Sequence, residues 1–125
     1  MDAITADQWN ARGKARRPAR ARVRNRTEGM NKLEAKYAAK LDADPDVAWF
    51  VYESVTLKLA KNTRYTPDFF VQKTDGSVEC HECKGFWEDD ARVKIKCAAE
   101  KFPMRFVAVQ WKAKQWQYEV IGGEA

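Results

Sequence analysis

Asp68, Glu82 and Lys84 are the residues whose types and spacing could do hydrolytic chemistry. Asp68 follows Pro67, and Glu82-x-Lys84 comes one short hairpin later. Two or three carboxylates can hold a hard divalent cation such as magnesium through oxygen. Such a cation activates water and neutralises charge building on a scissile phosphate. A lysine beside it can orient the water and stabilise the charged transition state. The same stretch, Val78-Glu79-Cys80-His81-Glu82-Cys83-Lys84-Gly85, offers a rival reading. Cys80-x-x-Cys83 enclosing His81 looks like half a zinc site.

Strand geometry separates the two readings. Residues 77–84 read as a strand, and strand side chains alternate between faces. Glu82 and Lys84 then share a face, about 6–7 Å apart at the backbone. Cys80 joins them, while His81 and Cys83 point the other way. Zinc wants four converging ligands, and the chain holds three Cys and one His in all. A redox Cys-x-x-Cys normally opens a helix, so small apolar packing is the expected role of these thiols. The sequence therefore predicts magnesium chemistry and no zinc. A three-residue loop Thr74-Asp75-Gly76, with Gly76 in the left-handed region, pairs Lys73 with Ser77. That register sets Asp68 opposite Glu82 on one face. A two-residue loop would put Asp68 on the wrong face.

The remaining elements must deliver these groups. Asn25-Arg26-Thr27-Glu28 offers helix caps, and Met30, Leu33, Tyr37 and Leu41 mark one helical face before Asp42–Asp46 ends it. Glu34 lies about 40° from Met30 and about 20° from Leu41 on that wheel, at the edge of the apolar stripe, where a carboxylate can lean inward. Strands are predicted over residues 49–55, 56–60, 68–73 and 77–84, with a turn at Lys61-Asn62-Thr63. A helix from Glu88-Asp89-Asp90 to Phe102 follows, with Ala91, Ile95, Ala98, Ala99 and Phe102 on its apolar face. Residues 104–110 and 116–121 read as further strands. The expected class is α/β, a mixed sheet flanked by helices.

The 125 residues suit one domain, and 45% hydrophobic content supplies a core without disulfides. Residues 1–29 carry eight basic groups and three acids, which accounts for the whole net charge of +5. Residues 1–26 thus read as a basic arm, and 27–125 as the folded domain. Arg16, Arg17, Arg20, Arg22, Arg24 and Arg26 suit phosphate contact, which binds without specifying sequence. Arg92 and Lys94 on the second helix are further candidates for contact with DNA. No apolar run is long enough to span a membrane. The expected compartment is cytoplasmic, since no secretory h-region opens the chain and the thiols are unpaired.

Tyr65-Thr66-Pro67-Asp68-Phe69 followed by Glu82-Cys83-Lys84-Gly85 resembles the PD-(D/E)XK nuclease signature. The run Phe86-Trp87-Glu88-Asp89-Asp90-Ala91-Arg92-Val93-Lys94 extends the likeness to Holliday-junction resolvases of the phage endonuclease I type. Leu33-Glu34-Ala35-Lys36 matches the helix that carries an early glutamate there. The chain is also similar to a group of small phage or prophage proteins, for which the compartment would be the host cytoplasm. The resemblance implies a restriction-endonuclease-like αβββαβ core. It implies Asp68, Glu82 and the Cys83 backbone carbonyl as ligands of Mg2+, with Mn2+ as a substitute. Lys84 would be the catalytic lysine, and Glu34 a further acid or ligand. It implies homodimers that cut both strands symmetrically, as in DNA recombination. Against that pattern, residues 52–65 form a shorter stretch, and residues 111–125 have no clear counterpart.

The expected function is a metal-dependent DNA endonuclease acting on branched DNA. General or nicking cleavage of duplex DNA remains open at this point. So does a non-cleaving DNA-binding protein on the same fold.

Overall fold

The computed structural model describes residues 28–84 and 89–122. The basic arm, with Arg16 to Arg26, lies outside them, as do Gly85–Glu88. In chain order the elements are helix α1 (Lys32–Ala43), β1 (Val47–Tyr52), β2 (Leu57–Ala60), β3 (Thr63–Tyr65), β4 (Phe69–Lys73), β5 (Val78–Cys83), helix α2 (Asp89–Lys101), β6 (Arg105–Lys112) and β7 (Gln115–Ile121).

Five strands form one sheet in the order β1-β4-β5-β6-β7. Only β5 and β6 run parallel, joined by the α2 crossover that such a pairing requires. β2 and β3 form a separate hairpin inserted between β1 and β4. With that hairpin set aside, the series α1, β1, β4, β5, α2, β6 is the expected mixed α/β order. β7 adds an edge strand.

The β4–β5 register follows from its turn. The Gly76 N–H donates to Lys73 O at 3.0 Å, with Gly76 at φ +91°. A Cβ would strain there, so glycine suits the position. Phe69 pairs with His81 and Gln72 with Val78. This is the register that sets Asp68 opposite Glu82.

Helix α1 starts later than the sequence suggests. Asn31, not residues 25–28, is the N-cap, and it forms a capping box with Glu34. The Asn31 side chain accepts from the Glu34 N–H at 2.8 Å, and Glu34 Oε1 accepts from the Asn31 N–H at 3.0 Å. β1 also departs from expectation, stopping at Tyr52 instead of Val55. Glu53 takes φ +45° and its N–H donates to Asp68 O, which turns the chain off the sheet. Thr63 is not part of the turn but opens β3, because the bend is made at Asn62 with φ +61°.

Each face of the sheet has its own core. On one face Tyr37 and Leu41 of α1 pack on Phe50, Phe69, Val71 and Val109. On the other, Ile95 and Ala98 of α2 pack on Cys80, Phe106, Ala108 and Ile121, with Leu57 and Tyr65 of the inserted hairpin. Phe69 is fully buried, and removing such a ring costs about 3–5 kcal/mol. Among the described residues no helix is long and apolar enough to cross a membrane.

The capping box yields a direct test. Asn31→Ala should cost about 1 kcal/mol. In urea titrations this appears as a lower midpoint with an unchanged slope.

Candidate active site at the end of the sheet

β1 and β5 finish, and β4 begins, at one end of the sheet. The first turn of α1 stands over it, since the Tyr52 hydroxyl at the end of β1 donates to Glu34 Oε1 at 2.8 Å. Four carboxylates meet there. Glu34, Asp68 and Glu82 are buried, at 8%, 6% and 6% exposure. Glu53 is exposed. One carboxylate oxygen each from Glu34, Glu53 and Asp68 lies within 4.8 Å of the others.

Asp68 occupies the centre. Its Oδ2 accepts from the Cys83 N–H at 2.9 Å. Its Oδ1 takes no hydrogen bond from any described residue. Burial, and then the negative charge of Glu82, push its pKa far above the carboxylate range, to about 8. The Cys83 N–H pulls the other way and is outweighed.

Glu82 is held differently. Its Oε1 accepts from the Tyr65 hydroxyl at 2.6 Å and from the Asp68 N–H at 3.3 Å. Its Oε2 pairs with Lys84 Nζ at 3.1 Å. Burial works against the Lys84 charge, but Glu82, Asp68 and Glu34 overcome it and hold the ammonium form more firmly than usual. The structure thus brings Glu34, Asp68, Glu82, Lys84 and the Cys83 backbone together at one place. Glu53 joins them, and it is Glu34, Glu53 and Asp68 whose oxygens converge within 4.8 Å. Glu82 stands beside these three, tied to Tyr65 and Lys84.

Glu53 and Tyr65 were missed from sequence as members of the site. Extending the β1–β4 pairing one step past Tyr52 and Phe69 sets Glu53 opposite Asp68. That signal was legible only to a reader who had paired β1 with β4. Tyr65 arrives from β3, a strand the sequence did not disclose.

The zinc reading finds no support in this geometry. Cys80 and Cys83 belong to the cores of opposite faces. Cys97 is exposed on α2. His81 Nε2 lies 2.8 Å from Glu79 Oε1, and Nδ1 lies 2.6 Å from the Tyr37 hydroxyl. A carboxylate can only accept, so the imidazole proton belongs on Nε2 and Tyr37 donates to Nδ1. Both nitrogens are used inside the core. Of the two candidate contacts on α2, Arg92 pairs with Glu119 at 3.1 Å and Lys94 is exposed.

No family model, no curated protein and no solved structure matches this chain. What the site does is therefore read from its own groups. Among the described residues, three buried acids and one exposed acid stand with one lysine, Lys84. Oxygen ligands of this kind could hold a hard cation.

The raised Asp68 pKa carries a sign. An unfolded Asp releases its proton near 3.8, whereas the folded one holds it to about 8. Folding then binds the extra proton, so stability present below the unfolded value is lost as pH climbs through the folded one. Thermal unfolding in a chelator should show the melting temperature falling from pH 5 to pH 8. Asp68→Asn should flatten that fall, and magnesium should restore the wild-type protein at pH 8.

Proposed function

We propose that this protein is a metal-dependent DNA endonuclease of the PD-(D/E)XK type, with branched DNA as its preferred substrate. The observation that carries the reading is Asp68. It is a buried carboxyl group with one oxygen tied to the Cys83 N–H, the other without a hydrogen bond from any described residue, and the Glu82–Lys84 pair beside it. The order Pro67-Asp68, Glu82-x-Lys84 supports it, and so does the mixed αβββαβ series that delivers these residues to one end of the sheet.

The donor set fits a hard divalent ion. Asp68, Glu82 and the Cys83 carbonyl would hold it, with Glu34 and Glu53 able to take part or to hold a second. When bound, magnesium or manganese supplies water activation and neutralises charge on the phosphate. The chain's own groups do the rest. Tyr65 and the Asp68 N–H fix the orientation of Glu82 through its Oε1. Lys84 keeps its charge at working pH. Its ammonium can hydrogen-bond an attacking water on one side while Glu82 holds it on the other. The same charge stabilises the extra negative charge of the pentacovalent phosphorus as it forms. Asp68 must release its proton before it can bind a cation, so affinity rises with pH toward 8.

The eight basic groups of residues 1–29 supply phosphate attraction that does not depend on sequence. A homodimer would present two sites to a two-fold junction.

The test is cleavage of a labelled four-way junction beside its linear duplex in magnesium. Wild type should cut the junction in symmetric pairs, and Lys84→Ala should lose about a hundredfold or more in rate. Equal cutting of both DNAs makes the protein a general nuclease. No cutting of either in magnesium or manganese, with binding retained, removes the enzyme reading and leaves a DNA-binding protein.

A further inference from the structure

At the carboxylate end of the sheet, on the face covered by α1, stands a group of aromatic and basic side chains that the hydrolytic chemistry does not use. β5 and β6 run parallel and end together, with Cys83 opposite Val109 and the Lys84 N–H donating to Val109 O at 3.0 Å. Trp111 lies two residues further along β6, at the same end of the sheet as Asp68 and Glu82. It pairs across the hairpin with Trp116, the two rings meeting edge to face at 5.0 Å. Trp116 rests in turn on the buried Tyr37 at 5.0 Å. Trp111 is 37% exposed, and Tyr118 on the same face of β7 is 49% exposed.

Two lysines of α1 lie over these rings. Lys36 Nζ lies 3.1 Å from the Trp111 ring centroid, and Lys40 Nζ lies 5.7 Å from that of Tyr118. Lys112 and Lys114 lie at the exposed hairpin tip, where Ala113 and Lys114 take positive φ. The nearest acid on β7, Glu119, alternates to the other face and pairs with Arg92.

We infer that Trp111, braced by Trp116, is a stacking platform for an unpaired base, with Lys36 and Lys40 for the adjoining phosphates. This rests on the endonuclease reading only in assigning that site its substrate class. An exposed aromatic face accepts any base, because every base has a π-face. A duplex hides those faces except at ends, flaps and branch points. Lys36 is exposed and lies over the indole as a flexible, single-point cation. An arriving base can take its place while the ammonium moves to the phosphate. The platform itself does not move, since Trp116 is anchored on the core through Tyr37. The chain thus sets a reader of unpaired bases at the carboxylate end of its sheet, on the face that carries α1.

The experiment measures binding by the full chain, without divalent metal, to a dye-labelled single-stranded oligo(dT) and to a blunt duplex of equal length. Trp111→Ala should weaken binding to the single strand about tenfold, with duplex binding unchanged. Trp111→Phe should recover most of the loss. Oligo(dT) should quench wild-type tryptophan emission. If Trp111→Ala does not fold, Lys36→Glu at its exposed position carries the test and should weaken single-strand binding selectively. Wild-type affinity in the folded variants overturns the platform. So does a dimer that dissociates on Trp111→Ala while oligo(dT) binding is unchanged, which makes a second copy the occupant of this face. Failure of the endonuclease reading registers separately. A protein that cuts no DNA but loses single-strand affinity in Trp111→Ala keeps the platform without the enzyme.

Discussion

The hydrogen bond from the Cys83 N–H to Asp68 Oδ2 ties the beginning of β4 to the end of β5. It also fixes the one carboxylate around which the other acids gather. Glu82 returns the connection, since its Oε1 accepts from the Asp68 N–H and the Tyr65 hydroxyl. The Asp68 side chain thus holds the Cys83 backbone while the Glu82 side chain holds the Asp68 backbone. Neither carboxylate can turn outward to water without giving up a bond inside the protein. Burial, with the charge of Glu82 beside it, keeps Asp68 protonated far above the usual range.

The rest of the fold is arranged to hold that end of the sheet together. The α1 capping box spends Glu34 Oε1 on the Asn31 N–H and the Tyr52 hydroxyl, so a helix-start glutamate is also a wall of the site. The fully buried Phe69, next to Asp68, packs edge to face on Tyr37 and Phe50. That packing sets the position from which Asp68 projects. His81, between Cys80 and Glu82, is locked to Tyr37 and Glu79 on the opposite face. The residues that look like zinc ligands therefore stiffen the strand that carries the acid.

Much of this was legible because strand alternation and turn chemistry are local rules. Thr74-Asp75-Gly76 is enough to set the register, and the register is enough to oppose Asp68 and Glu82. The helical wheel puts Glu34 at the inner edge because α1 is amphipathic along Leu33, Tyr37 and Leu41; Met30 precedes the helix. What was not legible depends on long-range pairing. Glu53 joins the cluster only because β1 pairs with β4 and the backbone then turns at positive φ, a conformation no feature of Tyr52-Glu53-Ser54 announces. Tyr65 needed β3, a three-residue strand too short to carry a periodic signal. Asn31 does not stand out as the cap in sequence, because Asn25 and Thr27 earlier in the chain are chemically equal candidates.

The bond from the Glu53 N–H to Asp68 O, at 2.9 Å, has a separate consequence. It closes the base of the segment that runs from Ser54 to Pro67 and contains the β2–β3 hairpin. Both residues at the neck belong to the site, but the hairpin between them is held to α2 through Leu57, Tyr65 and the Lys101 contact with Leu59 O. Loop-closure entropy grows only slowly with length. A length change at the hairpin tip, around Lys61 and Asn62, would therefore cost little entropy and leave both the neck and the Tyr65 bond to Glu82 in place.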